Sequence, residues 1–369
     1  VVNLLIRPMI EIDGSYGEGG GQILRTALSL SCLLQKPFRI YNIRANRKNP
    51  GLRPQHLAGV RAAKAISQAA VDGATIGSTT LAFRPVTLKG GKYLFDVAEE
   101  RGSAGSVSLV FQTISLPLAF AGEPSNVTIK GGTHVPWSPP FHYLAGVFIP
   151  TIEGMGMVVD SHLERWGWYP MGEGIVHFSI KPASGGLKSI SKTDNLQPEE
   201  VTTISAASNL PEHIITRQKR QLLKRIFKDT PQRATEGTTV SCEEIAAPSI
   251  GQGTFVFLKV RGGDSFAGFS ALGARGKRAE EVADETADLF LSFLDSQAAV
   301  DRHLADQLIP YMAMADGKSK IFTAEITLHL MTNIRVVEQF TQAKFHVEGT
   351  LGTTGIVTCL PDKKLKADG

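Results

Sequence analysis

The sequence is poor in the features that mark an oxidising compartment, a thiolate metal centre or a membrane. Among its 369 residues are only three cysteines, Cys32, Cys242 and Cys359, far apart and without a CxxC pair. That excludes a cysteine zinc site and a disulfide framework, and leaves a reducing, cytoplasmic interior as the expected setting. No stretch approaches the ~20 apolar residues that span a bilayer, so no membrane partner is expected. The apolar opening Val1–Ile6 ends at Arg7-Pro8, too short for the core of a signal peptide. Charge of one sign is also scarce. The formal net charge is +4, too small by itself to mark a nucleic-acid binder. Low-complexity segments and long linkers are absent.

What remains is a folded, α/β-patterned chain with 42% hydrophobic and 20% charged residues. Met9–Asp13 reads as a strand, Gln22–Leu34 as a buried helix, Phe38–Ile43 as a strand and Gln55–Ala69 as a helix. A partial repeat is visible. Pro37, a strand and Leu57-Ala58-Gly59-Val60 recur as Pro124, a strand and Leu144-Ala145-Gly146-Val147. A fainter echo joins His56-Leu57 to His329-Leu330. Composition shifts at Pro182–Gly186, after which Leu187–Leu272 reads as an inserted α/β module. Its long helix begins near Pro211, with Ile215, Leu222 and Ile226 on one face and basic residues elsewhere, the latter read as a solvated face. Helices over Ala279–Phe293 and Ala298–Ala315 follow.

Three places carry chemistry. Asp13–Gln22 (DGSYGEGGGQ) lies between a strand and a helix, where glycine backbone and a helix N-terminus suit an anion. No Gly-Lys-Ser/Thr closes it, so it is not a Walker loop. Glu18 at its centre would repel phosphates unless Mg²⁺ or Mn²⁺ lay between. A tight turn with a solvated glutamate is the equal alternative. Next, Lys36–Arg53 holds six basic residues and no acidic one. Arginine forks there suit a polyphosphate or an RNA backbone, against the alternative of a solvated basic loop. Finally, Ile321–Leu330 alternates like a strand, with His329 on its polar face before a helix capped by Thr332 or Asn333. A neutral imidazole there could attack an electrophile, or merely bond to a loop. Asp306 and Gln307 form a polar pair in an apolar stretch, suited to a ribose hydroxyl, to plain solvation or to capping a neighbour.

DGSYGEGGGQILR, IRANRKNPGLRPQH, RGKRAEE, HLADQL and LHLMTNIRVVE, in order from Asp13 to Glu338, together resemble the RNA 3′-terminal phosphate cyclases. The resemblance implies three repeats of a small α/β unit like that of the enolpyruvyl transferases, with a small α/β domain inserted before the third. Residues 1–186 and 273–369 would form the core and 187–272 the insertion. It implies an ATP-dependent enzyme closing an RNA 3′-phosphate into a 2′,3′-cyclic phosphodiester through a covalent histidine–AMP and an adenylated RNA end. The nucleophile falls on His329 and the metal ligand, for Mg²⁺ or Mn²⁺, on Glu18. Phosphate-binding side chains fall on Arg25, Arg44, Arg47, Gln55 and His56, with Gln112 near the phosphates. Asp306 and Gln307 fall near the ribose and phosphates, and Pro139 and His303 around adenine.

The chain departs from the family pattern at three points. His303 replaces a usual tyrosine, Arg165–Gly174 carries Glu173 among its glycines, and Leu328 stands where some members have cysteine. Non-catalytic relatives that serve ribosome assembly lack the histidine and much of the phosphate-binding set, both present here. An enolpyruvyl transferase would need no covalent histidine–nucleotide.

Overall fold

The computed structural model describes residues 8–97, 104–230 and 237–361. The Val1–Ile6 run weighed above as a leader lies outside them. The first unit runs β1 (Ile10–Asp13), α1 (Gly21–Leu34), β2 (Phe38–Tyr41), α2 (Pro54–Ser67), β3 (Ala70–Asp72) and β4 (Leu81–Arg84). Its sheet order is β1-β2-β4-β3, with the first pair parallel and the rest antiparallel. The second unit repeats this with β5 (Gly91–Asp96), α3 (Val107–Leu118) and β6 (Ser125–Gly131). A helix in two pieces follows, α4 (Phe141–Tyr143) and α5 (Ile149–Gly154), joined by the π-turn Leu144–Phe148. Strands β7 (Val158–Arg165) and β8 (Gly174–Lys181) complete the sheet β5-β6-β8-β7.

The third unit opens with β9 (Ser191–Lys192) and is then interrupted. The interruption holds β10 (Glu200–Ser208), α6 (His213–Asp229), β11 (Thr239–Ala246), β12 (Gly253–Gly262), β13 (Ser265–Leu272) and α7 (Ala279–Ser296). The unit resumes with α8 (Arg302–Met314), β14 (Ser319–Thr323), α9 (Leu328–Phe340), β15 (Lys344–Glu348) and β16 (Gly355–Leu360). Its sheet again places the parallel pair β9–β14 beside the antiparallel β16 and β15. Three units of one topology are therefore present. The repeated Leu-Ala-Gly-Val stretches sit in equivalent helices, and His329-Leu330 opens the third of these.

The inserted elements lie inside the third unit, after its first strand, rather than before it. The module's sheet, β11-β10-β12-β13, is covered on one face by α6 and α7. Val282, Ala283, Ala287, Phe290 and Phe293 of α7 share a core with Leu222, Ile226, Val256 and Leu258. Each buried phenylalanine contributes about 1.5–3 kcal/mol, so the helix belongs with the strands it covers, across the expected limit at Leu272. The other face sends Ile204, Phe255 and Phe257 into the main core.

As the periodicity predicts, α6 buries Ile215, Leu222 and Ile226. Much of its basic face is ion-paired rather than simply solvated. Arg217 meets Glu280 at 2.7 Å, Lys219 meets Glu244 at 2.8 Å, and Arg225 meets Asp288 at 2.6 Å. The Arg165–Gly174 loop fastens the module to the second unit. Trp168 Nε1 donates to Ser208 at 2.8 Å, and the Gly167 N–H donates to Thr133 Oγ1 at 2.9 Å. Among the described residues, no helix is long and apolar enough to cross a membrane.

Candidate nucleotide and phosphate site

The glycine cluster folds as a turn feeding α1. Gly17 and Gly19 take positive φ of 57° and 61°, a region that side chains with a Cβ visit at a cost. Space demands glycine at Gly21 as well. A Cβ there would stand 2.5 Å from His56 Nε2 and 3.0 Å from Arg25 Nη1. The turn thus lets the start of α1 meet the start of α2 directly.

It meets the start of α9 on its other flank. The Glu18 N–H donates to Thr332 Oγ1 at 3.2 Å, and His329 Nε2 lies 3.7 Å from Glu18 Oε1. Arg47 pairs with the Glu18 carboxylate and also donates to its backbone carbonyl at 3.3 Å. Glu18 is 13% exposed, and its Oε2 is buried with no hydrogen-bond partner. An ionised oxygen left so is costly, and a cation would relieve it.

His329 does not lie on a strand. The strand ends at Thr323, and Ile326 makes only an isolated bridge to Leu351. Thr327, not Thr332 or Asn333, caps the helix: its hydroxyl accepts from Leu330 N–H at 3.0 Å and donates to Asp306. His329 therefore stands in the first turn of α9, and the apolar alternation that suggested a strand is carried through a cap. Burial, then the nearby Arg25 and Arg47 charges, holds its pKa below the usual 6.5. The imidazole is neutral at neutral pH.

Arg25 is half-buried, and loss of water around its guanidinium lowers it to about 10. One Nη bonds Gln22, Nε has no partner, and among the described residues no carboxylate pairs with the group. A cation so placed favours an anion in the adjoining space. His56 is neutral too, lowered to about 3 by burial and then by Arg25, Arg44 and Arg53. Its Nδ1 accepts from Arg53 N–H at 3.1 Å, so the proton sits on Nε2, the atom facing Gly21. Two small clefts flank Arg25. One is lined by Gln22, Gln112, Gln307, Tyr311 and Asn333; the other is lined by Gln55, His56 and Thr113.

The expected residues thus largely converge. Gln112 donates to Gln307 at 2.8 Å across two units. Asp306 is buried rather than solvated, and burial raises it to about 8. The loss of water around His303 lowers its pKa, and Asp301 opposes this. His303 stands in the first turn of α8, its N–H donating to Asp301 Oδ1 at 2.9 Å. Arg44 turns back on its own loop, donating to the carbonyls of Asn49 at 2.7 Å and Gly51 at 3.2 Å. Pro139 stands in the loop before α4; among the described residues no hydrogen bond or ion pair ties it to the cluster.

Sequence reasoning missed the frame behind these groups. Asn333 donates to the Asp306 carbonyl at 2.8 Å and accepts from Thr26 at 2.6 Å. Tyr143 donates to Asp301 at 2.9 Å. The Thr327 cap had a legible signal, a threonine just before Leu-His-Leu. The Tyr143–Asp301 pair had none.

Residues 16–347 match the family model described as RNA 3′-terminal phosphate cyclase. The chain is 42% identical over 341 residues to the RNA 3′-terminal phosphate cyclase of Archaeoglobus fulgidus, covering 92% of this chain and 98% of that one. Against the RNA 3′-terminal phosphate cyclase of Thermococcus onnurineus it is 44% identical over 351 residues, covering 95% and 98%. Among solved structures, an EPSP synthase from Acinetobacter baumannii aligns over 96% of this chain and 65% of that one, at 13% identity and a TM-score of 0.28. A score so low carries no argument, and the fold rests on the strand order itself.

Proposed function

Because the chain belongs to the RNA 3′-terminal phosphate cyclase family, we propose that it converts an RNA 3′-phosphate to a 2′,3′-cyclic phosphodiester at the expense of ATP. The observation that carries this reading is a neutral His329 beside Glu18, Arg47 and a half-buried Arg25 whose Nε has no partner.

A ring nitrogen of His329 attacks the α-phosphorus of ATP. The N–P bond forms as the P–O bond to diphosphate breaks, and Arg25, Arg47 and the His56 N–H take up charge on the phosphates. An oxygen of the RNA 3′-phosphate then attacks that phosphorus, the P–N bond breaks and the imidazole returns neutral. In the last step the vicinal 2′-hydroxyl attacks the 3′-phosphorus, its proton is released, and AMP departs with the P–O electron pair. Adenylation is needed because a bare phosphate oxygen leaves poorly. Mg²⁺ or Mn²⁺, held by the unpartnered Glu18 oxygen and by nucleotide phosphates, would supply charge neutralisation; among the described residues no set of three or more His, Cys, Asp or Glu side chains forms a complete protein cage. Asp306 and Gln307 would face the ribose and phosphates, and Pro139 and His303 the adenine.

Incubation with α-labelled ATP and a divalent cation should give an acid-labile, base-stable protein–AMP adduct, absent in His329→Ala. An undiminished adduct in that variant would overturn the reading. Glu18→Ala should weaken adenylation by loss of the cation, and the defect should depend on metal concentration. Equal rates across the titration would remove Glu18 from that role.

A further inference from the structure

Two exposed side chains beside the histidine take no part in these steps. Tyr16 stands in the glycine turn two residues before Glu18 and is 48% exposed. The guanidinium of Arg335, exposed on α9, lies over its ring, 6.0 Å from the centroid. His329, Thr332 and Arg335 recur at three-residue steps, a ridge that follows the turn through the Thr332 contact to Glu18. His329 and Arg335 are ~9 Å apart along the helix axis. On the opposite flank Asn46 donates to the Ser15 carbonyl at 3.3 Å, and Arg47 follows it. The nearby carboxylate of Asp13 is already engaged by Ser15 N–H at 3.0 Å, Ser15 Oγ at 2.8 Å and Asn42 Nδ2 at 3.2 Å. Those donors hold the carboxylate within the turn.

We propose that Tyr16 and Arg335 dock the single-stranded 3′ end of the RNA, one base stacked on the ring or guanidinium plane and a backbone phosphate on Arg335. The inference rests on the cyclase reading above. An open aromatic face beside a cation is the combination that holds single strands without reading their sequence. Helix α9 packs between α1 and α8. The α8 side, with His303, Asp306 and Gln307, is assigned to the nucleoside and Arg25 and Arg47 to its phosphates, so Tyr16 and Arg335 are left with no role in holding ATP.

Binding of a short, fluorescently labelled, 3′-phosphorylated oligoribonucleotide to the full-length protein, measured by anisotropy without ATP, tests the surface directly. Tyr16→Ala and Arg335→Ala should each weaken binding about tenfold, whereas Tyr16→Phe should bind as the parent does. Chasing a preformed adduct with the same oligonucleotide should show the RNA concentration for half-maximal AMP transfer raised in the two alanine variants. Unchanged binding in both variants would overturn the proposal. So would a loss of affinity for ATP with RNA binding intact, which would give the pair to the nucleotide. If the parent forms no adduct but the binding pattern holds, the docking surface stands and the covalent chemistry falls.

Discussion

His329 is kept unprotonated by its surroundings, and that has a kinetic signature. With its pKa held below 6.5 by burial and by the Arg25 and Arg47 charges, the rate of adduct formation should be flat above pH 6.5 and fall only in more acid solution. Removing one cation through Arg47→Ala should move that fall to higher pH. An inflection at or above 6.5 in the parent would contradict the environment described. Asp306 works in the opposite sense. Its folded carboxyl holds a proton up to about pH 8, whereas the unfolded one releases it near 3.8. Unfolding between those values therefore releases a proton, and stability falls as pH rises through the window. Urea midpoints at pH 5 and 8.5 should differ less in Asp306→Asn than in the parent. At this scale the sequence singled out Glu18 among glycines and Arg47 in an acid-free loop while leaving a solvated turn and a solvated loop open, and the pairing of the two side chains was not visible in it. It was opaque for Asp306, because a polar pair within HLADQL reads alike whether water or a threonine hydroxyl receives it.

Elements matter here through their first turns. The side chains proposed to react stand at the starts of α1, α2 and α9, so on that proposal small changes at a cap displace chemistry. Thr327→Ala removes both the bond from Leu330 N–H and the one to Asp306, and should cost about 1–2 kcal/mol. Its adduct yield should drop further than stability loss alone explains. Thr327→Ser should restore both, and an alanine variant as stable and active as the parent would deny the cap its role. Gly21→Ala should abolish adduct formation while α1 itself persists by circular dichroism, since the added carbon collides with His56 and Arg25. Most helices and strands could be read from their apolar residues because each buries either one face, as α6 does, or nearly all of its surface, as α3 does. The misread one, Ile321–Leu330, failed for a physical reason: residues 326, 328 and 330 satisfy a two-residue period and also a bridge, a cap and a helical first turn.

At the scale of the whole molecule, three copies of one topology surround a shared core, and the site is where the first copy meets the third. The junction of the second and third is stapled by Tyr143, whose hydroxyl reaches buried Asp301, which also accepts from Gly268 N–H of the inserted sheet at 3.3 Å. Tyr143→Phe should cost about 1–3 kcal/mol by leaving that carboxylate short of a donor. Combined with Asp301→Asn the loss should be less than additive, and strict additivity in urea unfolding would exclude the coupling. The repeat was visible in two Leu-Ala-Gly-Val stretches, and the existence of an insertion in a change of composition. Its point of entry was not visible, since a two-residue strand such as Ser191–Lys192 gains identity only from its partner β14. The contact between Glu18 and Thr332 spans 314 positions of the chain. Ribosomes add roughly 5–20 residues per second, so the glycine turn waits on the order of 15–60 s for the helix that completes it. On the proposed mechanism, a nascent or C-terminally shortened chain would own Glu18, Arg25 and Arg47 yet, lacking His329, form no adduct.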